Sequence, residues 1–410
     1  MRAKPLYALA FLAALALPAA GLAAPTPCSV LDNPVYVAGA PAAEPLLKQV
    51  AQQLQRGEAQ RLTVIWQLQS SCSAVDNLVR DTGGACTATT CMTGKARFWT
   101  LDVRDTEPKE CDLPTAGAKV DLGLSDVFPR TCPAWSSQTE PTGILDYTPV
   151  LGPVSPYALV MATQAGETAI HAVEGHFVFG AGKAAGVQPW QSDAVIVALG
   201  DQDSGQLLAA EQLRLRLGKW KGVSATSADD IVNILYSDPA QGIAVLPTTT
   251  LDARRAEVKA LAFQAIKGRS AFFPDRKSSS FEKQNVRDGH YPIWGYLHTI
   301  VKPDPVTPTQ PRVKAAQRLA DILLGATATV GGQDTVELQV KAGLVPRCAM
   351  KVARKDDHSP LTPWAAPEGC GCWFEKNVKN GLLGCKECTD GSDASCGGIG
   401  KCRRKLCEVQ

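Results

Sequence analysis

Fourteen cysteines, in two groups far apart, are the strongest constraint on how this chain can fold. Cys28, Cys72, Cys86, Cys91, Cys111 and Cys132 lie in the first third. Cys348, Cys370, Cys372, Cys385, Cys388, Cys396, Cys402 and Cys407 lie at the end, and none lies between Cys132 and Cys348. Both groups are even in number, so each can close its own pairs. In an exported chain such counts read as disulfides, with a connectivity that the spacing leaves open. Export is expected. Arg2 and Lys4 precede an apolar run, Leu6–Ala20, and Gly21-Leu22-Ala23 supplies small residues before a cleavage point after Ala23. This is the pattern of a cleaved secretory signal, too short to span a bilayer. The mature chain is expected in the periplasm or outside the cell.

Composition divides the remainder. Cys370–Cys407 is glycine-rich and poor in large apolar residues, so cross-links must hold what a core cannot. Hydrophobic residues make up 45% of the chain, which supports large packed cores and more than one domain. The expected divisions are a signal at 1–23, a main domain at 24–345 and a cysteine-rich module at 346–410. The 42 basic and 40 acidic residues balance once Arg2 and Lys4 are removed. A near-neutral chain has little electrostatic hold on nucleic acid, so none is expected as a partner.

Pro34–Gly39 and Arg61–Leu68 read as strands. Ala42–Gln55 carries Leu46, Leu47, Val50 and Leu54 on one helical face, and Ala74–Val79 begins a second helix. This alternation predicts an α/β architecture with a mainly parallel sheet. Ligands of such sheets bind at strand C-termini, where Gly39-Ala40 and Ser70-Ser71 fall. Phe98–Val103 is expected as an antiparallel strand, and Val120–Val127 as an alternating segment that exposes Asp126. Phe128–Pro156, rich in Pro, Ser and Thr, reads as a crossover. Tyr157–Ala162 follows as a strand, Ile170–Phe179 as a helix, Tyr291–Val301 as returning strand, Pro303–Pro311 as a loop and Val313–Leu324 as a helix.

Val195–Leu217 reads as strand, polar turn and helix. Its apolar run breaks at Gly200-Asp201-Gln202-Asp203-Ser204-Gly205 and resumes at helical spacing. Ser204 is the expected N-cap, with the N–H groups of Gly205, Gln206 and Leu207 facing a cleft. A helix end of this kind suits an anion or a polar acceptor.

At this point the sequence resembles a known family. Phe281–His298, FEKQNVRDGHYPIWGYLH, is similar to the closing segment of periplasmic phosphate-binding-type proteins, the solute receptors of ABC importers. Gly39-Ala40-Pro41-Ala42-Ala43, Gln69-Ser70-Ser71-Cys72, Leu124-Ser125-Asp126 and Asp203-Ser204-Gly205-Gln206 resemble the family's ligand-contacting turns, in order, over roughly residues 33 to 325. The resemblance implies a two-lobed type II periplasmic-binding fold with mixed sheets, lobe 2 spanning roughly 150–240, that closes on its ligand by a hinge motion. It implies hydroxyl donors at Ser71 and Ser204, backbone N–H donors at Ala42, Gly205 and Gln206, and an acceptor at Asp126 for a protonated ligand oxygen. Three departures stand out. Gly200 occupies the position of the family's cleft Arg, Gln206 replaces a Thr, and Pro41 has no N–H.

The expected function is capture of phosphate or another small oxyanion by a monomeric exported protein, for a membrane ABC transporter. The alternative is a degenerate binding fold acting as a surface or sensory interaction module, with the cysteine-rich tail as its contact. No cofactor, metal or enzymatic activity is expected. The five histidines lack paired metal spacing, and His171 and Glu174, one helical turn apart, read as a surface hydrogen bond. Asp275, Arg287 and Asp288 read as a structural network. Cys370-Gly371-Cys372 and Cys385–Cys388 have zinc-like spacing, but disulfides are favoured in an exported chain. Trp364, Trp373 and Phe374 are candidate contact anchors or cover for a small tail core.

Overall fold

The computed structural model describes residues 26–59, 61–80, 84–87, 90–132, 151–199, 204–216, 220–301, 311–381, 384–388, 391–398 and 400–409. The expected signal, Gly200 with the turn up to 203, most of the crossover and the proline-rich segment up to 310 lie outside these residues. Among the described residues no helix is long and apolar enough to cross a membrane.

The chain begins with β1 (Pro34–Gly39), α1 (Glu44–Arg56), β2 (Thr63–Leu68) and α2 (Ser71–Val79). Then follow β3 (Lys95–Phe98), β4 (Lys109–Asp112), β5 (Leu122–Ser125) and a long strand, β6 (Leu151–Ala162). After α3 (Ala172–Ala181) come β7 (Ile196–Leu199), α4 (Ser204–Leu213), β8 (Val223–Ala225), α5 (Ala228–Ser237), β9 (Ile243–Pro247), α6 (Thr248–Ala253) and β10 (Val258–Ala260). The chain returns through β11 (Trp294–Val301), α7 (Pro311–Leu324) and α8 (Thr335–Lys341), and the tail carries α9 (Gly371–Asn377).

One sheet runs through the molecule in the order β8-β7-β9-β6-β11-β5-β1-β2-β3-β4, with β10 added on β6. β1 is parallel to β2 and β5, and β7 is parallel to β8 and β9. The pairs made by β6, β11 and β3 are antiparallel, so the sheet is mixed rather than mainly parallel. β6 joins the halves. Its residues Leu151–Pro156 pair with β11, and Tyr157–Val160 pair with β9. The prolines at 153 and 156 hide this strand in the sequence, because a proline reads as a break. Pro153 falls beside the register shift between Tyr296 and His298, where β11 departs from regular pairing, while Pro156 pairs with Trp294 near the end of that ladder.

Each lobe has its own apolar layer. Val35, Val37 and Val64 of the first sheet half pack on Leu46, Leu47 and Val50 of α1 and on Leu319 and Leu323 of α7. Val160 and Val197 pack on Ile231 and Leu235 of α5 in the other half. The expected strand Phe98–Val103 is displaced: the strand is Lys95–Phe98, and Leu101 and Val103 are exposed. The alternation Lys95, Ala96, Arg97, Phe98 gives the out-in pattern of a half-buried strand, and beyond Phe98 no described residue pairs with it.

The disulfides pair within each group. They are Cys28–Cys111, Cys72–Cys132 and Cys86–Cys91, then Cys348–Cys370, Cys372–Cys385, Cys388–Cys402 and Cys396–Cys407. The sulfurs of Cys388, Cys396 and Cys407 lie within 4.8 Å of one another, yet each is in a disulfide and none is a thiolate ligand for zinc. The tail is packed onto the larger domain. Met350, Cys370 and Phe374 join its main core, and Val345, just before the tail, exchanges backbone hydrogen bonds with Val154 of β6. Trp364 and Trp373 lie under the guanidinium groups of Arg347 and Arg404.

Candidate ligand site between the lobes

Four turns place the site. β1 ends at Gly39, whose backbone approaches β5 so closely that a Cβ there would lie 2.3 Å from the Leu124 carbonyl oxygen. Ala40 then donates its N–H to that carbonyl, and a single 3-10 turn, Pro41–Ala43, leads into α1 with Ala42 buried. β2 ends before Ser70, whose hydroxyl accepts the Ser73 N–H and caps α2. The expected helix at Ala74 thus begins earlier, and Ser71 is its first residue. β5 ends at Ser125, followed by Asp126. From the second lobe comes α4. Ser204 is its first residue rather than its N-cap, and the helix stops at Leu213, where Arg214 takes φ 54°.

The structure brings Ser71, Asp126 and Ser204 together. The Ser71 and Ser204 hydroxyl oxygens are 2.6 Å apart, across the lobes. The Asp126 N–H donates to Ser71 Oγ at 2.8 Å. Tyr157, from the middle of β6, donates its hydroxyl to Asp126 Oδ2 at 2.6 Å. Ser71 and Ser204 are 0% exposed and Asp126 is 1% exposed. Asp126 was expected on the surface, because the alternation in Val120–Val127 put it on an open face. Tyr157 and the second lobe cover it instead. β11 passes directly behind, since a Cβ at Gly295 would lie 1.8 Å from the Asp126 carbonyl oxygen and 3.1 Å from Leu208 of α4. Gly205 is buried beside Ser204. Gln206 is half-buried, with its Oε1 enclosed and without a hydrogen-bond partner.

Among the described residues the site offers the Ser71, Ser204 and Tyr157 hydroxyls and one carboxylate. The hydroxyls of Ser71 and Ser204, each at the start of a helix, meet beside a buried acceptor, Asp126, and no hydrogen bond among the described residues ties the Ala42 turn to them. Tyr157 was missed in the sequence because its function depends on the fold of β6, and an isolated Tyr after a proline carries no signal of that. A separate cavity of about 240 Å³, lined by Gln67, Gln69, Ser73, Asp76, Asn77 and Thr93 among others, shares none of the predicted ligand residues. His171 and Glu174 form a helix cap. His171 Nδ1 accepts the Val173 N–H and Glu174 accepts the His171 N–H. Asp275 pairs with Lys283 and Arg255, Arg287 with Glu375 and Asp288 with Lys351. These are structural networks that tie loops and tail together.

Two α/β lobes joined through β6 and β11, with helix N-termini meeting at the junction, define a two-lobed periplasmic-binding fold of type II. A solved structure shares it: a protein of Clostridium perfringens described as a phosphate ABC transporter substrate-binding protein, with phosphate bound. It aligns at TM-score 0.50 and 10% identity over 77% of this chain and 99% of its own. An ABC-type phosphate transport receptor from Vibrio cholerae aligns at TM-score 0.45 and 9% identity, over 76% of this chain and 99% of its own. At these identities the likeness is one of fold. No protein-family model matches the chain, and no curated protein sequence matches it.

Proposed function

We propose that this chain is an exported solute-binding protein that takes a small oxyanion, with phosphate the leading candidate, at the junction of Ser71, Asp126 and Ser204, for an ABC-type importer. The observation that carries this reading is the meeting of the two helix-start hydroxyls, Ser71 and Ser204, from opposite lobes over one buried carboxylate. Helix N-termini favour negative charge, and a fixed carboxylate acceptor favours an anion that still carries a proton. Dihydrogen or monohydrogen phosphate meets both demands, whereas sulfate brings no proton to Asp126.

Binding here requires opening. One ligand oxygen held between two hydroxyls needs the Oγ atoms about 4–5 Å apart, given hydrogen bonds of about 2.7 Å on each side. The lobes must separate by about 2 Å from the present 2.6 Å contact. The test is thermal unfolding of the oxidised mature protein in phosphate, sulfate and small carboxylates. The expected result is stabilisation by phosphate that grows logarithmically with concentration above its Kd. Equal response to every anion would count against a specific site.

A further inference from the structure

The tail touches both lobes across their junction. On the first lobe, Asp357 is 2% exposed and its Oδ2 accepts the Phe128 N–H at 2.8 Å and the Thr131 hydroxyl at 2.6 Å. On the second, His358 Nδ1 lies 2.7 Å from Glu211 Oε2 of α4, the helix that starts at Ser204. Between them and the joining strands stands Arg354. Its guanidinium lies 3.7 Å over the Trp294 ring, and its Nη2 donates to the Pro292 carbonyl at 2.9 Å. The tail is itself fixed to the second lobe's return segment. Arg287 Nη1 donates to Glu375 at 2.7 Å, Arg287 Nε donates to the Ala349 carbonyl, and Gly289 packs against Val352 and Leu361.

The grip on the first lobe leads straight to the ligand residues. Thr131 precedes Cys132, Cys132 is bonded to Cys72, and Cys72 follows Ser71, which meets Ser204. An opening of the lobes that moves Ser71 away from Ser204 must carry Thr131 and Phe128 with it, against a tail anchored on the other side.

We propose that Arg354–His358 is an interlobe strap, which holds the cleft shut without a ligand and so sets how readily a solute enters. This rests on the reading of the junction as the ligand cleft. A strap that stabilises the closed, directly bonded state competes with binding, because only the opened fraction admits ligand. The exposed His358–Glu211 pair adds little by itself. The buried Asp357 contacts are the main hold, because an acceptor lost there leaves the Phe128 N–H and the Thr131 hydroxyl unpaired away from water.

The experiment compares the oxidised mature chain with Asp357→Ala and Asp357→Asn by amide hydrogen exchange and by titration with inorganic phosphate. Exchange in the peptides holding Asp126 and Ser204–Leu213 is expected to rise about tenfold or more in Asp357→Ala, while Val35–Ala38 and Ala244–Val245 keep their protection. Asp357→Asn, which keeps an acceptor oxygen, should restore most of it. Unchanged exchange at the junction overturns the strap, and so does an equal rise throughout the molecule. Phosphate affinity is read separately, so the strap can stand if phosphate fails and fall if phosphate binds. If both hold, Asp357→Ala binds phosphate more tightly than the parent chain.

Discussion

Ser71 and Ser204, 133 residues apart in sequence, share a hydrogen bond 2.6 Å long between fully buried hydroxyls. Each begins a helix, and each helix belongs to a different lobe. The contact has a direct consequence for stability. Ser71→Ala removes the acceptor that Asp126 N–H uses and is expected to cost about 1–3 kcal/mol, while Ser204→Ala leaves that bond in place and costs about 0.5–1.5 kcal/mol. Urea unfolding of the two single variants and the double variant tests this. The double variant should fall short of the sum, because both singles break the same bond. Strict additivity would mean that the hydroxyls do not interact.

The Asp357 carboxyl gives a pH signature. Burial pushes it up to about 6, against the lowering effect of Thr131, Phe128, Arg354 and His358. The folded chain thus holds this proton more tightly than the unfolded one, whose carboxyl titrates near 3.9. The group's stabilising contribution is complete below about pH 4 and is lost as pH rises through about 6. Asp357→Asn stays neutral and removes the slope. Unfolding free energies measured from pH 4 to 7 should show the parent losing about 2–3 kcal/mol relative to this variant. Parallel curves would exclude the buried carboxylate as the source.

His298 carries the opposite sign. It is wholly buried in β11, neither ring nitrogen has a hydrogen-bond partner, and its ring centroid is 4.4 Å from that of Phe128. Burial pushes the imidazole down to about 3. Unfolded histidine titrates near 6.5, so the contribution is complete above that pH and is lost as pH falls toward 3. His298→Phe, which retains an aromatic ring against Phe128, is expected to gain about 3 kcal/mol on the parent between pH 6.5 and 4. The comparison uses the same unfolding series, and a gain that does not grow with acidity would contradict it.

Much of the chain was legible locally. Leu46, Leu47, Val50 and Leu54 declare α1 by period, because one face of that helix is buried, and β1 reads as a short apolar run because both of its faces are buried. The strand Ile196–Leu199 and the helix from Ser204 were legible as an apolar run and as helical spacing, while the turn between them lies outside the described residues. β6 was only half visible, since Pro153 and Pro156 imitate a loop while tertiary pairing with β11 holds them in a strand. The junction was legible as four turns but not as one place. Nothing in a sequence states that Tyr157 will reach Asp126, or that a surface-like run such as Lys355-Asp356-Asp357-His358 will bury one of its carboxylates. Those contacts join residues 31 and more than 200 positions apart, where no local pattern reports them.

The measurement that bears most directly on the junction as a ligand site is calorimetric titration of phosphate and sulfate into the oxidised mature chain and its Asp126→Asn variant. The parent is expected to bind one phosphate per chain and to discriminate against sulfate, since only phosphate brings a proton to the carboxylate. Asp126→Asn should narrow or reverse that preference, because an amide can donate to a fully deprotonated oxyanion. Absence of heat with either anion, or a preference that Asp126→Asn leaves untouched, would contradict the assignment.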